Sequence, residues 1–387
     1  MNQPSSQPAT PDLLYSDVED DLRSAVRGLL ADRCPPTSIL ARIESGTPYD
    51  LELWRTLAAE IGVAGLLVPE EFGGQGASAR EAAVVLEELG GSVAPVPFLG
   101  SAVLATSALL AAPAAAGPLL KRLASGEATA ALAVALPTAP GAAFPSGVRV
   151  AADGTLSGRI TSVADASAAD VLVVPAVGPD GEPGLYEVAA DASGVGIEVP
   201  VSLDLTRPIA DLAFDAVAAR LVVGPDSAAR ALHTALLTGA GLLASEQLGI
   251  AQWCLDETVR YLKERHQFGR PVGSFQSLKH RLADLWLEVV SARAAARNAA
   301  DALASGSDGS DGSDVAVAVA VAQAHCATTA VHAAEECVQL HGGIGMTWEH
   351  PVHLYLKRAK ADEIALGTPG RHRAALAELV DLPSASG

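Results

Sequence analysis

The chain has 387 residues, 49% of them hydrophobic and only 4% aromatic, with a formal net charge of −19. That is enough chain for two or three domains around a large core, filled by Ala and Val rather than by rings. The negative balance argues against nucleic acid and anionic membrane surfaces as partners, and a polyanionic ligand would need a local basic patch.

Residues 1–12 are polar and Pro/Ser-rich, without the basic and apolar regions of a secretory signal. Cys34, Cys254, Cys326 and Cys337 form no C-x-x-C pair, which suits free buried thiols in a reducing, cytoplasmic setting. Apolar residues recur at helical spacing over 18–30, 51–61 and 79–89. Between the last two, Val68-Pro69-Glu70-Glu71-Phe72-Gly73-Gly74-Gln75-Gly76 reads as a Gly-rich turn. Residues 102–120 are long and apolar, but Pro113, Gly117 and Pro118 make them a poor membrane span, and a buried helix is expected.

From 129 to 225 the texture changes. Short apolar runs at 131–136, 148–151, 171–174, 185–188 and 212–214 alternate with Gly, Pro and Asp, the pattern of a small β domain. Long helical periods return after 226, interrupted by a Ser/Gly/Asp loop at 305–314. The expected fold is α+β, with an N-terminal helical domain (1–128), a middle β-barrel-like domain (129–225) and a C-terminal four-helix bundle (226–387).

Two C-terminal motifs carry the strongest signal. The first is Arg265-His266-Gln267-Phe268-Gly269 followed by Phe275-Gln276, and the second is Gln339-Leu340-His341-Gly342-Gly343. With Leu53–Gly62, the Gly-rich turn, Val85–Gly90 and Leu203-Asp204-Leu205-Thr206-Arg207-Pro208, they follow one another in an order that resembles the acyl-CoA dehydrogenase family along nearly the whole chain. The resemblance implies FAD as cofactor and α,β-desaturation of an acyl-CoA thioester. In that reaction a Glu carboxylate removes the α proton while hydride passes from the β carbon to flavin N5. It also implies roles for residues here. Arg265 would meet the FAD pyrophosphate, Phe268 and Gln276 the adenosine end, and Gln339, Gly342 and Gly343 would pass close to the cofactor of a neighbouring subunit. Thr368 would join them as a cofactor contact.

The ring side departs from the family. The pattern T-E-P-x-A-G-S-D is met by Thr138-Ala139-Pro140-Gly141-Ala142-Ala143-Phe144-Pro145, so Ala139 replaces a Glu and Phe144 a cofactor-contacting Ser. Ser162 falls in the slot of a Trp that packs on the ring. Ala164 falls in that of a Thr whose hydroxyl approaches N5. The catalytic Glu position reads Leu366, and the alternative base position used by some members reads Gly239. Glu246, about two helical turns past Gly239, is the remaining candidate base, although its offset along the helix axis is about 10 Å. Glu363 and Glu349 read as solvated or packing residues. The nine histidines show no metal-ligand spacing, so no metal is expected.

The residues leave three readings open. The chain is the base-less partner of a second acyl-CoA dehydrogenase-like subunit in an α2β2 assembly, contributing adenine-side contacts. Alternatively it is a homotetrameric flavoenzyme with Glu246 as a displaced base, or a non-enzymatic acyl-CoA-binding module. By family analogy an electron-transfer flavoprotein accepts the electrons.

Overall fold

The computed structural model describes residues 13–306 and 312–382; the N-terminal polar segment and residues 307–311 of the Ser/Gly/Asp loop lie outside the described residues. The N-terminal part is helical: α1 (Asp17–Arg33), α2 (Pro36–Glu44), α3 (Leu51–Thr56), α4 (Ala79–Gly91), α5 (Thr106–Leu109) and α6 (Pro113–Ala124). α1 and α4 each begin with a capping box, Ser16 with Glu19 and Ser78 with Glu81. The apolar stretch expected as one buried helix is broken in two places. A π-helical segment, Phe98–Ala105, leads into α5, and α6 starts afresh because Pro113 lacks the N–H needed to continue the preceding turn.

The middle part is a mixed sheet of β1 (Ala130–Leu132), β2 (Val148–Val150), β3 (Thr155–Ala164), β4 (Val171–Val177), β5 (Pro183–Ala189), β6 (Val195–Glu198), β7 (Ile209–Ala218) and β8 (Arg220–Val223). The order is β6-β7-β3-β2-β4-β5-β8, with β1 parallel to β4, and the path does not close into a barrel. The sheet has its own core, including Leu156, Val163, Leu172, Leu212 and Phe214. The strand signal misses β3 because Gly158, Arg159, Thr161 and Ser162 dilute its apolar positions, and its outer face alternates towards solvent. A register shift falls between Ile160 and Val163, where Ser162 takes a φ of 59°.

The C-terminal part holds α7 (Pro225–Glu264), a β9 (His266–Gln267) and β10 (Arg270–Pro271) hairpin, α8 (Gln276–Ser305), α9 (Gly312–His341), α10 (Val352–Ile364) and α11 (Pro369–Leu379). By length and composition the segment Gly312–Met346, which contains α9, is apolar enough to cross a membrane. Its apolar face, Val319, Ala322, Cys326, Ala330, Ala333 and Cys337, recurs at three- and four-residue steps and is buried in the main core. α4 crosses α7 at glycines: a Cβ on Gly249 would sit 2.0 Å from the Glu87 carbonyl oxygen, and one on Gly90 would sit 2.2 Å from that of Glu246. That close approach unites the two helical parts in one core.

Candidate functional site

The C-terminal end of α7, the hairpin, the start of α8 and the turn after α9 surround a cleft of about 1230 Å³. Arg265, Gln339, Gly342 and Gly343 all line it. Arg265 follows α7 directly, and its guanidinium makes no ion pair or hydrogen bond among the described residues. Gly342 has a φ of 62°, and a Cβ on it or on Gly343 would meet no atom within 4 Å, so the wall is open there. Phe268, by contrast, is 91% exposed and lies edge-on to Phe275, outside the cleft lining, and Gln276 is exposed at the start of α8. Thr368 is not in this cleft either. It caps α11, accepting from the Arg371 backbone N–H at 3.3 Å.

Sequence reading missed several lining residues: Trp253, Glu257, Arg260, Tyr261, Arg281 and His341. The signal was available for two of them, since Glu257 and Tyr261 precede Arg265 by eight and four residues on one helix face. His341 stacks on Tyr261 with centroids 4.3 Å apart, and its Nδ1 lies 2.7 Å from the Cys337 carbonyl oxygen. His350 Nε2 lies 3.6 Å from Glu257 Oε1, and His341 Nε2 lies 3.9 Å from the same oxygen. No metal-ligand spacing announces this trio, because it joins α7, α9 and the loop before α10.

The region around Leu366 has a different character. Leu366 is fully buried and packs with Gly100, Leu104, Leu132, Val134, Leu136 and Ala164 around a void of only about 10 Å³. That is room for about one water molecule at most. The second expected base position opens on the same spot: a Cβ on Gly239 would lie 2.4 Å from Leu104 Cδ2 and 3.1 Å from Leu366 Cδ1. The backbone also closes the seam. The Leu366 N–H donates to the Leu136 carbonyl at 2.7 Å, and the Leu136 N–H donates to that of Ser162 at 2.9 Å. A separate hollow of about 540 Å³ lies between the 139–141 turn and α11, lined by His233, Arg371, His372 and Glu378 among mostly small apolar residues.

Glu246 does not reach this void. It is fully buried among Arg207, Arg358, Asp204, Thr206 and Asp362. Arg358 Nη1 donates to its Oε1 at 2.6 Å, and Arg207 Nη2 to its Oε2. Burial disfavours its charge, but the two guanidiniums outweigh that and hold the carboxyl below the ordinary range. Asp362 moves the other way: burial and the negative Glu246 beside it push its carboxyl well up, and its Oδ2 has no hydrogen-bond partner among the described residues. The cluster explains the Leu203–Pro208 segment, which ties the sheet to α7 and α10.

Two family models cover the chain on either side of the sheet. The acyl-CoA dehydrogenase N-terminal domain matches residues 16–127, and the acyl-CoA dehydrogenase C-terminal domain matches residues 229–380. The chain belongs to the acyl-CoA dehydrogenase family. It is 35% identical over 92% of its length to the acyl-CoA dehydrogenase IpdE2 of Mycolicibacterium smegmatis, covering 96% of that protein. Among solved structures it resembles a chain of a variant of the Tcur3481–Tcur3483 steroid ACAD, with a TM-score of 0.82 and 32% identity, covering 96% of this chain and 99% of that one. It also resembles a chain of the ChsE4–ChsE5 complex from Mycobacterium tuberculosis, with a TM-score of 0.83 and 29% identity, covering 97% and 100%.

As an acyl-CoA dehydrogenase-type oxidoreductase, the chain has FAD as its cofactor. Residues of the Arg265 cleft fit that group. The cleft offers an unpaired guanidinium, open glycine backbone and a buried His341 Nε2 without a hydrogen-bond partner among the described residues. The void around Leu366 does not admit an isoalloxazine ring.

Proposed function

We propose that this chain is the non-catalytic subunit of a heteromeric, FAD-dependent acyl-CoA dehydrogenase, and that its cleft holds the adenine end of a flavin whose ring lies in a partner chain. The observation that carries this reading is the contrast between the two ends of the cofactor path. The Arg265 cleft is open, whereas the spot where the family resemblance would put the base is packed with Leu104, Leu136 and Leu366. Two structural relatives bear the names of two-chain assemblies, ChsE4–ChsE5 and Tcur3481–Tcur3483. The latter is named a steroid ACAD, so a steroid acyl-CoA thioester is the first substrate to assay.

Within the assembly, the partner supplies the carboxylate and the ring pocket. FAD, when bound there, supplies the hydride acceptor. This chain's residues bind and orient: Arg265 meets the pyrophosphate with paired N–H donors, and Gly342 and Gly343 admit close backbone approach. Glu246 holds two guanidiniums and no substrate proton, so its role is to fix the sheet on the bundle.

The test is Arg265→Ala in the co-purified pair. Flavin retention should weaken roughly 10- to 100-fold, matching the ~1.5–3 kcal/mol of a hydrogen bond to a charged group. The pair should still assemble. Unchanged flavin affinity would overturn the assignment of the cleft.

A further inference from the structure

We infer that Glu257, His341 and His350 form a binding site for a divalent transition metal ion such as zinc, set in the wall of the cleft. Each offers one ligand atom, and the three atoms lie within 4.8 Å of one another. A tetrahedral ion with ligands at roughly 2.0–2.1 Å holds its donor atoms ~3.4 Å apart. The observed separations of 3.6 Å and 3.9 Å from Glu257 Oε1 therefore need only small side-chain movements to close on an ion.

His341 supplies the independent observation. Its side chain is fully buried, and its Nε2 has no hydrogen-bond partner among the described residues. Its Nδ1 donates to the Cys337 carbonyl at 2.7 Å, which orients the ring and leaves Nε2 aimed at Glu257 and His350. A metal-bound histidine characteristically donates its second ring nitrogen in this way. His341 Nε2 is an acceptor in this tautomer and faces the Glu257 carboxylate, whose Oε1 already takes Arg260 Nη2 and has the His350 Nε2–H at 3.6 Å, so the buried lone pair of His341 is left for a cation or a proton.

Two groups must yield to the ion. Arg260 forks onto Glu257, Nη2 to Oε1 at 2.5 Å and Nε to Oε2 at 2.8 Å, but its guanidinium is half exposed and its Nη1 also rests on Glu264 at 2.8 Å. His350 Nδ1 accepts the Val352 N–H at 3.2 Å, a long bond at the first residue of α10. Coordination by Nε2 moves the ring proton to Nδ1 and breaks that bond. The freed N–H stands at a helix start, where water can replace the partner. The mixed nitrogen and oxygen donor set suits Zn²⁺, Co²⁺ or Ni²⁺ over Mg²⁺ or Ca²⁺. The coordination position left open faces the cleft, because all three residues line it.

Metal binding at this trio does not depend on which subunit carries the flavin ring, and its test uses the full chain without flavin. Purified chain is titrated with Co²⁺, following visible absorption, and then with Zn²⁺ in competition. Loss of a residue that only orients a ligand weakens metal sites by about 10–100-fold, so removing a ligand itself with His350→Ala or Glu257→Gln should cost more than about 100-fold. His332→Ala, which removes a half-buried histidine outside the cleft lining, paired with Glu288 at 2.8 Å, should leave the signal intact. His341→Ala removes a buried ring and can unfold the chain, so the two partly exposed ligands carry the test. A chain that gives no Co²⁺ signal, or one whose signal survives both His350→Ala and Glu257→Gln, overturns the proposal.

Discussion

At the residue scale, Leu366, where the family resemblance would put a catalytic Glu, sits in a strained and tightly packed turn. It takes a φ of 53°, followed by Gly367 at 107°, a left-handed turn that a leucine enters at a cost of about 1–2 kcal/mol. The turn still presents its side chain to the spot where Gly239 faces it, but the side chain is now apolar and the space is filled. Leu366→Glu would force a carboxylate into that void with no partner. It should destabilise the chain by roughly 2–5 kcal/mol in urea melts and give no turnover from the chain alone. Asp362 supports a second prediction at this scale. Its folded-state carboxyl titrates well above the ordinary 3.8, so between those two values the folded chain holds a proton that the unfolded chain has lost. Stability therefore falls as pH rises across that window. Asp362→Asn keeps an oxygen for Arg207, which now donates to Oδ1 at 2.8 Å, and carries no titrating group. Relative to the parent, its denaturation midpoint should improve steadily from about pH 4 towards neutrality and show no such trend below. A flat difference across pH would show that Asp362 is ionised throughout.

At the scale of elements, α7 does three jobs along its length. Gly239 faces Leu104 and Leu366, Glu246 joins the buried ion cluster, and the last turn leads into Arg265. The sequence shows the helix and the Arg265 motif but not the cluster, because Arg207 and Arg358 lie on other elements and no spacing rule links them to Glu246. The buried pairing predicts that Glu246→Gln leaves two guanidiniums facing a neutral amide and destabilises the fold by about 3–5 kcal/mol. A variant that keeps its denaturation midpoint and yet loses turnover would restore Glu246 as a base. Other elements were legible to different degrees. The capped helices α1 and α4 are plain in the sequence. β3 is not, since a half-exposed strand with Gly158 and a bulge at Ser162 lacks a clean alternation. The break before α6 is written in Pro113, but the high hydropathy on both sides masks it.

At the scale of the whole molecule, helices, a mixed open sheet and a second set of helices follow in the order that the change of texture at 129 and 226 suggests. The cleft was partly legible in the sequence. Arg265, Gln339, Gly342 and Gly343 meet in one cleft, whereas Phe268 and Gln276 stand exposed outside its lining. The exposed Phe268, Met346 and Trp348 lie in or just after the same two motifs, at 91%, 79% and 47% exposure. Such rings and chains suit burial against another subunit. The tight packing around Leu366 could not be read from substitutions alone, because only the fold shows that Leu104, Leu136 and Leu366 fill the space instead of leaving a pocket.

The most direct measurement is flavin absorbance per chain after size exclusion, for the chain expressed alone and with its acyl-CoA dehydrogenase-like partner, followed by addition of an acyl-CoA thioester. The division of labour between the two subunits predicts colourless protein from the lone chain. It predicts a yellow complex with one flavin for each pair of chains, bleached by substrate. A yellow homomer from this chain alone that bleaches with acyl-CoA would contradict it.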